Sequence, residues 1–280
     1  MIRIVTDSTS DLSPQRAAEL GVEMVPLSVH FGEDCYRDGV DISKAEFYEK
    51  LSRADKLPTT SQIPPEVFEG VFRRHVEAGD EVLGIFISSD MSGTCQSANI
   101  AKDMVDEEHI AVVDSRTVTF ALGLLVETAC LLRDQGLSLN ELAGRVSDLA
   151  GRIRLLAAVD TLKYLKMGGR ISTATALVGG VLGICPIITI ENGLVASIGK
   201  ARGRKAALEW IARRMEGEPA DTSLPVSFGH SNAPEAMAEC RAALEGQTKG
   251  APVYVTCDIG AVVGTHVGPG ATGLAYFTAS

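Results

Sequence analysis

The sequence predicts an α/β protein of two domains. A mainly parallel sheet with helices on its faces is expected over residues 1–154, and a mixed-sheet α/β domain over 155–280. Three observations carry this. Short apolar, β-branched runs such as Val82–Ile87 and Ile110–Val113 alternate with helical stretches of ten or more residues, the pattern of parallel strands joined by helical crossovers. A length of 280 residues favours two ordinary domains over one. Finally, Glu191-Asn192-Gly193 between two apolar runs is a hairpin signal, which puts antiparallel pairing into the second half.

In chain order, Ile2–Thr6 is a strand ending in Asp7-Ser8-Thr9-Ser10-Asp11. Ser13-Pro14 caps and opens a short helix that stops at Gly21. Val22–Phe31 reads as a single second strand and Tyr36–Asp41 as a turn or hairpin tip. Ser43 and Glu46 form a capping box for a helix to about Arg53. Leu57–Pro65 is extended, because proline disfavours helix in the residue before it, and Pro65 opens a helix with Phe68, Val71, Phe72 and Val76 on one face. The strand Val82–Ile87 runs into a hydroxyl-rich turn, where Ser92 is a natural helix N-cap. Ile110–Val113 is a strand ending in Asp114-Ser115, a long apolar helix runs from about Val118 to Arg133, and Ser138 and Glu141 cap another.

The second half opens with the strand Leu155–Val159 and a short helix Thr161–Lys166 before Gly168-Gly169. A small-residue helix is expected over about Thr173–Val181, then the hairpin Ile184–Ile190 with Leu194–Ile198, and a helix Ala206–Met215. Val226–Gly229, Pro234–Leu244 and Val253–Cys257 repeat the α/β pattern. A glycine-rich loop, Gly264–Ala271, carries His266 and leads into a last strand.

A net charge of −10 argues against nucleic-acid binding. No apolar segment has the length of a membrane span, and the chain enters a strand at once without a signal peptide. The expected compartment is therefore the cytoplasm, with at most transient contact with a membrane surface. The six cysteines are scattered, with no C-x-x-C, and read as reduced packed thiols; no metal site is expected.

Three strands end in hydroxyl-rich turns: Thr6–Ser10, Ser88–Thr94 and Asp114-Ser115. In such sheets ligands sit at the carboxyl ends of strands. The turn around Ser92, Gly93 and Thr94 has the hydroxyls, the backbone N–H groups and the helix dipole of an anion site, though an ordinary capped helix reads the same way. Ser92 with His266 as base and Asp7 or Asp114 as orienter would make a serine hydrolase of the lipase or esterase kind, but the G-x-S-x-G elbow is missing. A nucleotide site lacks both glycine-rich fingerprints. The basic run Lys200, Arg202, Arg204, Lys205 is either a solvated face or a partner-docking patch on an acidic protein.

Thr6-Asp7-Ser8-Thr9-Ser10-Asp11-Leu12, Pro58-Thr59-Thr60-Ser61-Gln62, Ser92-Gly93-Thr94, Asp114-Ser115-Arg116, Gly168-Gly169-Arg170-Ile171 and His266 with Gly268-Pro269-Gly270 occur in that order. With them the chain resembles, along nearly its whole length, the DegV family of bacterial fatty-acid-binding proteins. The resemblance implies a two-domain protein that buries one long-chain fatty acid in a tunnel between its domains and needs no cofactor. It implies that the carboxylate is presented to a separate ATP-dependent fatty acid kinase, which phosphorylates it for phospholipid synthesis. On that likeness the carboxylate contacts fall on Thr60, Ser92 and the neighbouring groups of Ser61, Gly93 and Thr94, supported by Arg170 and His266. Cys95 stands where the family usually has Tyr, and Cys185 where Lys is expected. Burying about fourteen methylenes would supply roughly 11 kcal/mol before association costs. The apolar segments 118–132 and 174–188 are candidates for the lining, or for plain core.

Overall fold

The computed structural model describes residues 1–172 and 183–279. In chain order the elements of the first half are β1 (Ile2–Asp7), α1 (Pro14–Leu20), β2 (Val22–Val25), β3 (Ser28–Phe31), β4 (Asp34–Arg37), α2 (Lys44–Arg53), β5 (Thr59–Ser61), α3 (Pro65–Glu77), β6 (Glu81–Phe86), α4 (Thr94–Val105), β7 (Ile110–Asp114), α5 (Thr119–Arg133) and α6 (Leu139–Arg152). The second half adds β8 (Ile153–Ala158), α7 (Lys163–Gly168), β9 (Ile184–Glu191), β10 (Leu194–Arg202), α8 (Arg204–Gly217), β11 (Val226–His230), α9 (Pro234–Leu244), β12 (Val253–Asp258), α10 (Ala261–Val267) and β13 (Thr272–Phe277).

The two expected sheets are present. Strands β2-β1-β6-β7 form a four-stranded sheet, parallel throughout. Strands β10-β9-β8-β13-β11-β12 form a six-stranded mixed sheet in which only β11 and β12 run parallel. The hairpin β9–β10 turns at Asn192-Gly193, both left-handed in φ. The small-residue helix expected over 173–181 lies outside the described residues.

Four expectations are corrected. The run Val22–Phe31 is not one strand: it breaks at Pro26-Leu27, since proline has no N–H for a ladder. The second piece, β3, leaves the parallel sheet and pairs with β4 and β5 in a small antiparallel sheet. The hairpin tip is accordingly Gly32-Glu33, and Tyr36 and Arg37 belong to β4. Ser92 is not the N-cap of α4; Gly93 is, and Ser92 Oγ instead accepts from Thr94 N–H at 3.3 Å. The glycine-rich stretch at 264–271 is helical in its first part, where α10 carries His266 in its last turn.

Helix α5 explains how the sheets come together. It is apolar all round, buried from Thr119 to Cys130, and packs on β1 and β6 from one sheet and β8, β11, β12 and β13 from the other. Its one acidic residue, Glu127, is buried and takes a two-pronged contact from Arg16 of α1. A single apolar cluster therefore runs from Ile4, Leu83 and Ile85 through Leu122 and Leu125 to Leu155, Ala275 and Phe277. At another junction the Gly193 turn docks on the turn after β6, where Ser88 Oγ donates to Gly193 O at 2.7 Å. A Cβ on Gly193 would lie 2.2 Å from Asp90 Oδ2, so glycine is required there for space as well as for φ.

Candidate functional site

Where α5, α10 and the two large sheets meet there is a cavity of about 380 Å³, within the range of small-molecule sites. Its walls are apolar: Ile87 and Met91 after β6, Val118 and Phe120 at the start of α5, Leu155, Ile188 and Val195 from the second sheet, and Val262 and Val267 from α10. Phe120 lies so close over Gly229 of β11 that a Cβ there would fall 1.9 Å from its ring.

The polar lining residues gather at one end of the cavity in separate hydrogen-bonded pairs. His266 Nε2 is 2.9 Å from Thr60 Oγ1. Arg170 reaches from the end of α7 to the Ser92 turn, donating Nε to Met91 O at 3.3 Å and Nη1 to Gly168 O at 2.7 Å. Gln62 lies against Gly93, whose missing Cβ would sit 2.0 Å from Gln62 Oε1, and donates Nε2 to Ser97 Oγ. Ser61 and Gln62 are exposed, so this polar end faces solvent, while the opposite wall is buried. The other two wall hydroxyls are turned away into bonds: Thr119 Oγ1 donates to Asp11 and Thr272 Oγ1 accepts from Arg204.

The structure thus brings Thr60, Ser61, Ser92, Gly93, Arg170 and His266 onto one cavity. Thr94 is not on the lining; it is fully buried beneath, with its hydroxyl 2.9 Å from Ser92 Oγ. Arg202 is exposed at the end of β10, away from the cavity lining. Arg204 is not a free surface cation. Its guanidinium donates to Gly270 O at 2.7 Å and to Thr272 Oγ1 at 2.8 Å and pairs with Asp160, so it braces the segment following α10. Gln62 and His30 lie outside the sequence-based site but stand beside it in the fold. His30 Nε2 is 3.0 Å from Ser61 Oγ, and only the pairing of β3 with β5 brings it there.

Burial, together with the Arg170 guanidinium, holds the His266 pKa down to about 4, so the ring is neutral at neutral pH. Its Nδ1 is buried with no hydrogen-bond partner among the described residues. That arrangement is not a Ser92–His266 nucleophile–base pair. The ring contacts Thr60 and not Ser92, and neither proposed carboxylate serves as its orienter. Asp7 accepts from Thr9 and from Ile87 N–H, and Asp114 accepts from Ser89 and Arg116. Cys95 is buried among Phe68, Phe86 and Ala98, and the Cys185 thiol donates to Val159 O at 3.4 Å. Neither cysteine is on the cavity lining.

Fold and cavity together define a two-domain α/β protein with an enclosed amphipathic cavity, apolar along its length and polar at its solvent end. The model of a family described as an uncharacterised protein, DegV family, matches residues 1–279, and the chain belongs to the DegV family. A DegV domain-containing protein of Caldanaerobacter subterraneus subsp. tengcongensis is 39% identical over 276 residues, 98% of either chain. Among solved structures, a DegV family protein from Thermus thermophilus, described for its fatty acid binding, superposes with a TM-score of 0.89 at 34% identity over 99% of both chains. A stearic acid-binding protein from Eubacterium ventriosum matches with a TM-score of 0.89 at 32% identity, over 99% of this chain and 98% of its own.

Proposed function

We propose that this chain binds one long-chain fatty acid in the cavity, with its carboxylate at the Thr60–Ser92–His266 end and its acyl chain along the apolar walls. The two domains meet near residue 154. The loaded protein acts in the cytoplasm and presents the carboxylate to a separate ATP-dependent kinase, whose acyl-phosphate product feeds phospholipid synthesis. The observation that carries this is the cavity itself, an enclosed apolar space with a single polar end. The solved relatives described as fatty-acid-binding proteins support it.

At that end Thr60 and Ser92 supply hydroxyl donors, and Arg170 supplies the positive charge that makes a buried carboxylate tolerable. A neutral His266 orients the hydroxyl of Thr60 without fully neutralising the carboxylate, so one oxygen stays nucleophilic. Arg170 then steadies the acyl phosphate formed on that oxygen. Of the two expected docking cations, Arg202 is the one open to a partner.

An apolar cavity of this kind is costly to leave wet. Protein purified without added lipid, denatured and extracted with organic solvent is expected to release close to one fatty acid per chain by mass spectrometry. Repeated extraction that yields no acyl chain rejects the reading.

Gly168→Ala tests the polar end without touching a donor. Alanine normally favours a helix by about 1 kcal/mol over glycine. Here its Cβ would lie 2.2 Å from His266 Nδ1, so the ring must leave Thr60. Fatty-acid affinity is expected to fall roughly tenfold, as for the loss of one hydrogen bond to a charged group. Wild-type affinity in a folded Gly168→Ala protein means that the ring has no part in binding.

A further inference from the structure

Five consecutive backbone groups leading into α10 are each held by a side chain from the first half of the protein. Lys44 Nζ donates to Asp258 O, and Tyr48 Oη donates to Ile259 O at 2.9 Å. Gly260 N–H donates to Asp11 Oδ1 at 2.7 Å. Ala261 and Val262 N–H donate to the two oxygens of Asp38 at 3.0 and 3.4 Å. Asp11 and Asp38 are both buried, and Asp11 also takes the Thr119 hydroxyl at 2.6 Å. Burial pushes the Asp11 carboxyl up to about 7 and raises that of Asp38. A fold seldom keeps two buried carboxylates where an apolar contact would serve, unless they fix something in place.

What they fix is a short helix. One turn further on, α10 packs at Gly264 so closely on α2 that a Cβ would lie 2.6 Å from the Phe47 ring. Two residues later His266 meets Thr60. We propose that Asp38 and Asp11, aided by Lys44 and Tyr48, are positioning residues for the polar end of the cavity: they set α10 so that the His266 ring meets the Thr60 hydroxyl. Their action on a ligand rests on the fatty-acid reading above; their action on His266 does not. They act on the head group through His266; α10 also gives Val262 and Val267 to the wall, whereas the wall residues Leu155, Ile188 and Val195 come from the second sheet, away from the clamp.

The test uses Asp38→Asn in the full chain, because asparagine keeps one acceptor oxygen and turns an NH₂ against the second backbone N–H. The first readout needs no ligand. In the wild type the His266 ring, faced by the Arg170 guanidinium, stays neutral down to about pH 4. In Asp38→Asn the NMR titration of His266 is expected to move toward the ordinary value of 6.5.

The second readout compares palmitate with hexadecanol. Palmitate affinity should fall roughly tenfold and hexadecanol affinity clearly less, and in a His266→Ala background Asp38→Asn should cost palmitate no more than it costs hexadecanol. A His266 titration that does not move, or equal losses for palmitate and hexadecanol, overturns the proposal. Should Asp38→Asn not fold, Tyr48→Phe removes a single donor and is expected to shift the His266 titration in the same direction, with no shift counting against the proposal. A wild type that binds neither probe would end the fatty-acid reading, and the His266 titration would still decide whether the clamp sets the ring.

Discussion

Arg16→Ala is expected to destabilise the protein by about 3 kcal/mol. Glu127 lies inside α5 with 1% of its side chain exposed, and its ion-pair partner is Arg16. The guanidinium meets it in fork geometry, Nε to Oε1 at 3.1 Å and Nη2 to Oε2 at 2.8 Å. Removing Arg16 leaves a carboxylate in the middle of the helix that joins the two sheets. An uncompensated buried charge costs about 3–5 kcal/mol; the low end applies because Arg16 is 38% exposed and water can enter once it is gone. Against a total stability of about 5–15 kcal/mol this is a large fraction. Urea denaturation should show a lower midpoint with an unchanged slope. Glu127→Gln added to Arg16→Ala should recover part of the loss, since the amide carries no charge to strand. If Arg16→Ala unfolds at the wild-type midpoint, the pair contributes nothing and Glu127 finds water without it.

The parts of the fold readable in the sequence were those set by local physics. The capping boxes at Ser43 and Ser138, the proline at the first turn of α1 and the left-handed Gly21 depend on residues within four positions of one another. The Asn192-Gly193 hairpin is equally local. Reading failed where two constraints compete in one stretch. Val22–Phe31 has the composition of one strand, but Pro26 divides it between two sheets. Glycines at 264 and 268 suggest a loop, yet each is there for a close approach: Gly264 to Phe47, Gly268 to the ring of Tyr164. A helix can carry Gly264 where its neighbour leaves no room for a Cβ, and α10 ends at Gly268, whose φ of +73° also favours glycine.

The site divides along the same line. Thr60, Ser92, Arg170 and His266 were legible because each sits in a motif shared with a known family, and the cavity gathers all four. Arg204 was misleading because a charge in a basic run looks solvated, whereas Asp160, 44 positions away in sequence, and Gly270 enclose it. The clamp on α10 has no sequence signature at all. Asp38 and Ala261 are separated by 223 positions, and only the folded chain brings them together.

The double variant Thr60→Ala/Ser92→Ala is expected to weaken fatty-acid binding about a hundredfold or more, with each single change costing roughly tenfold. Each removes one hydroxyl donor facing the carboxylate end, and a hydrogen bond to a charged group is worth about 1.5–3 kcal/mol. Whether the losses add depends on connectivity. Thr60 is joined to His266 from β5 and α10, while Ser92 is joined to Thr94 from the turn after β6. No direct hydrogen bond links the two hydroxyls, so they act as separate arms and their free energies should sum. Thr60→Ala with His266→Ala, by contrast, breaks one arm twice and should cost little more than either alone. The walls stay intact in all of these variants, so hexadecanol should bind each of them nearly as well as the wild type. Calorimetric titration of delipidated protein with palmitate supplies the numbers. If Thr60→Ala/Ser92→Ala binds palmitate as tightly as the weaker single variant, the two hydroxyls do not hold one carboxylate between them. The head group must then be sought elsewhere on the cavity wall.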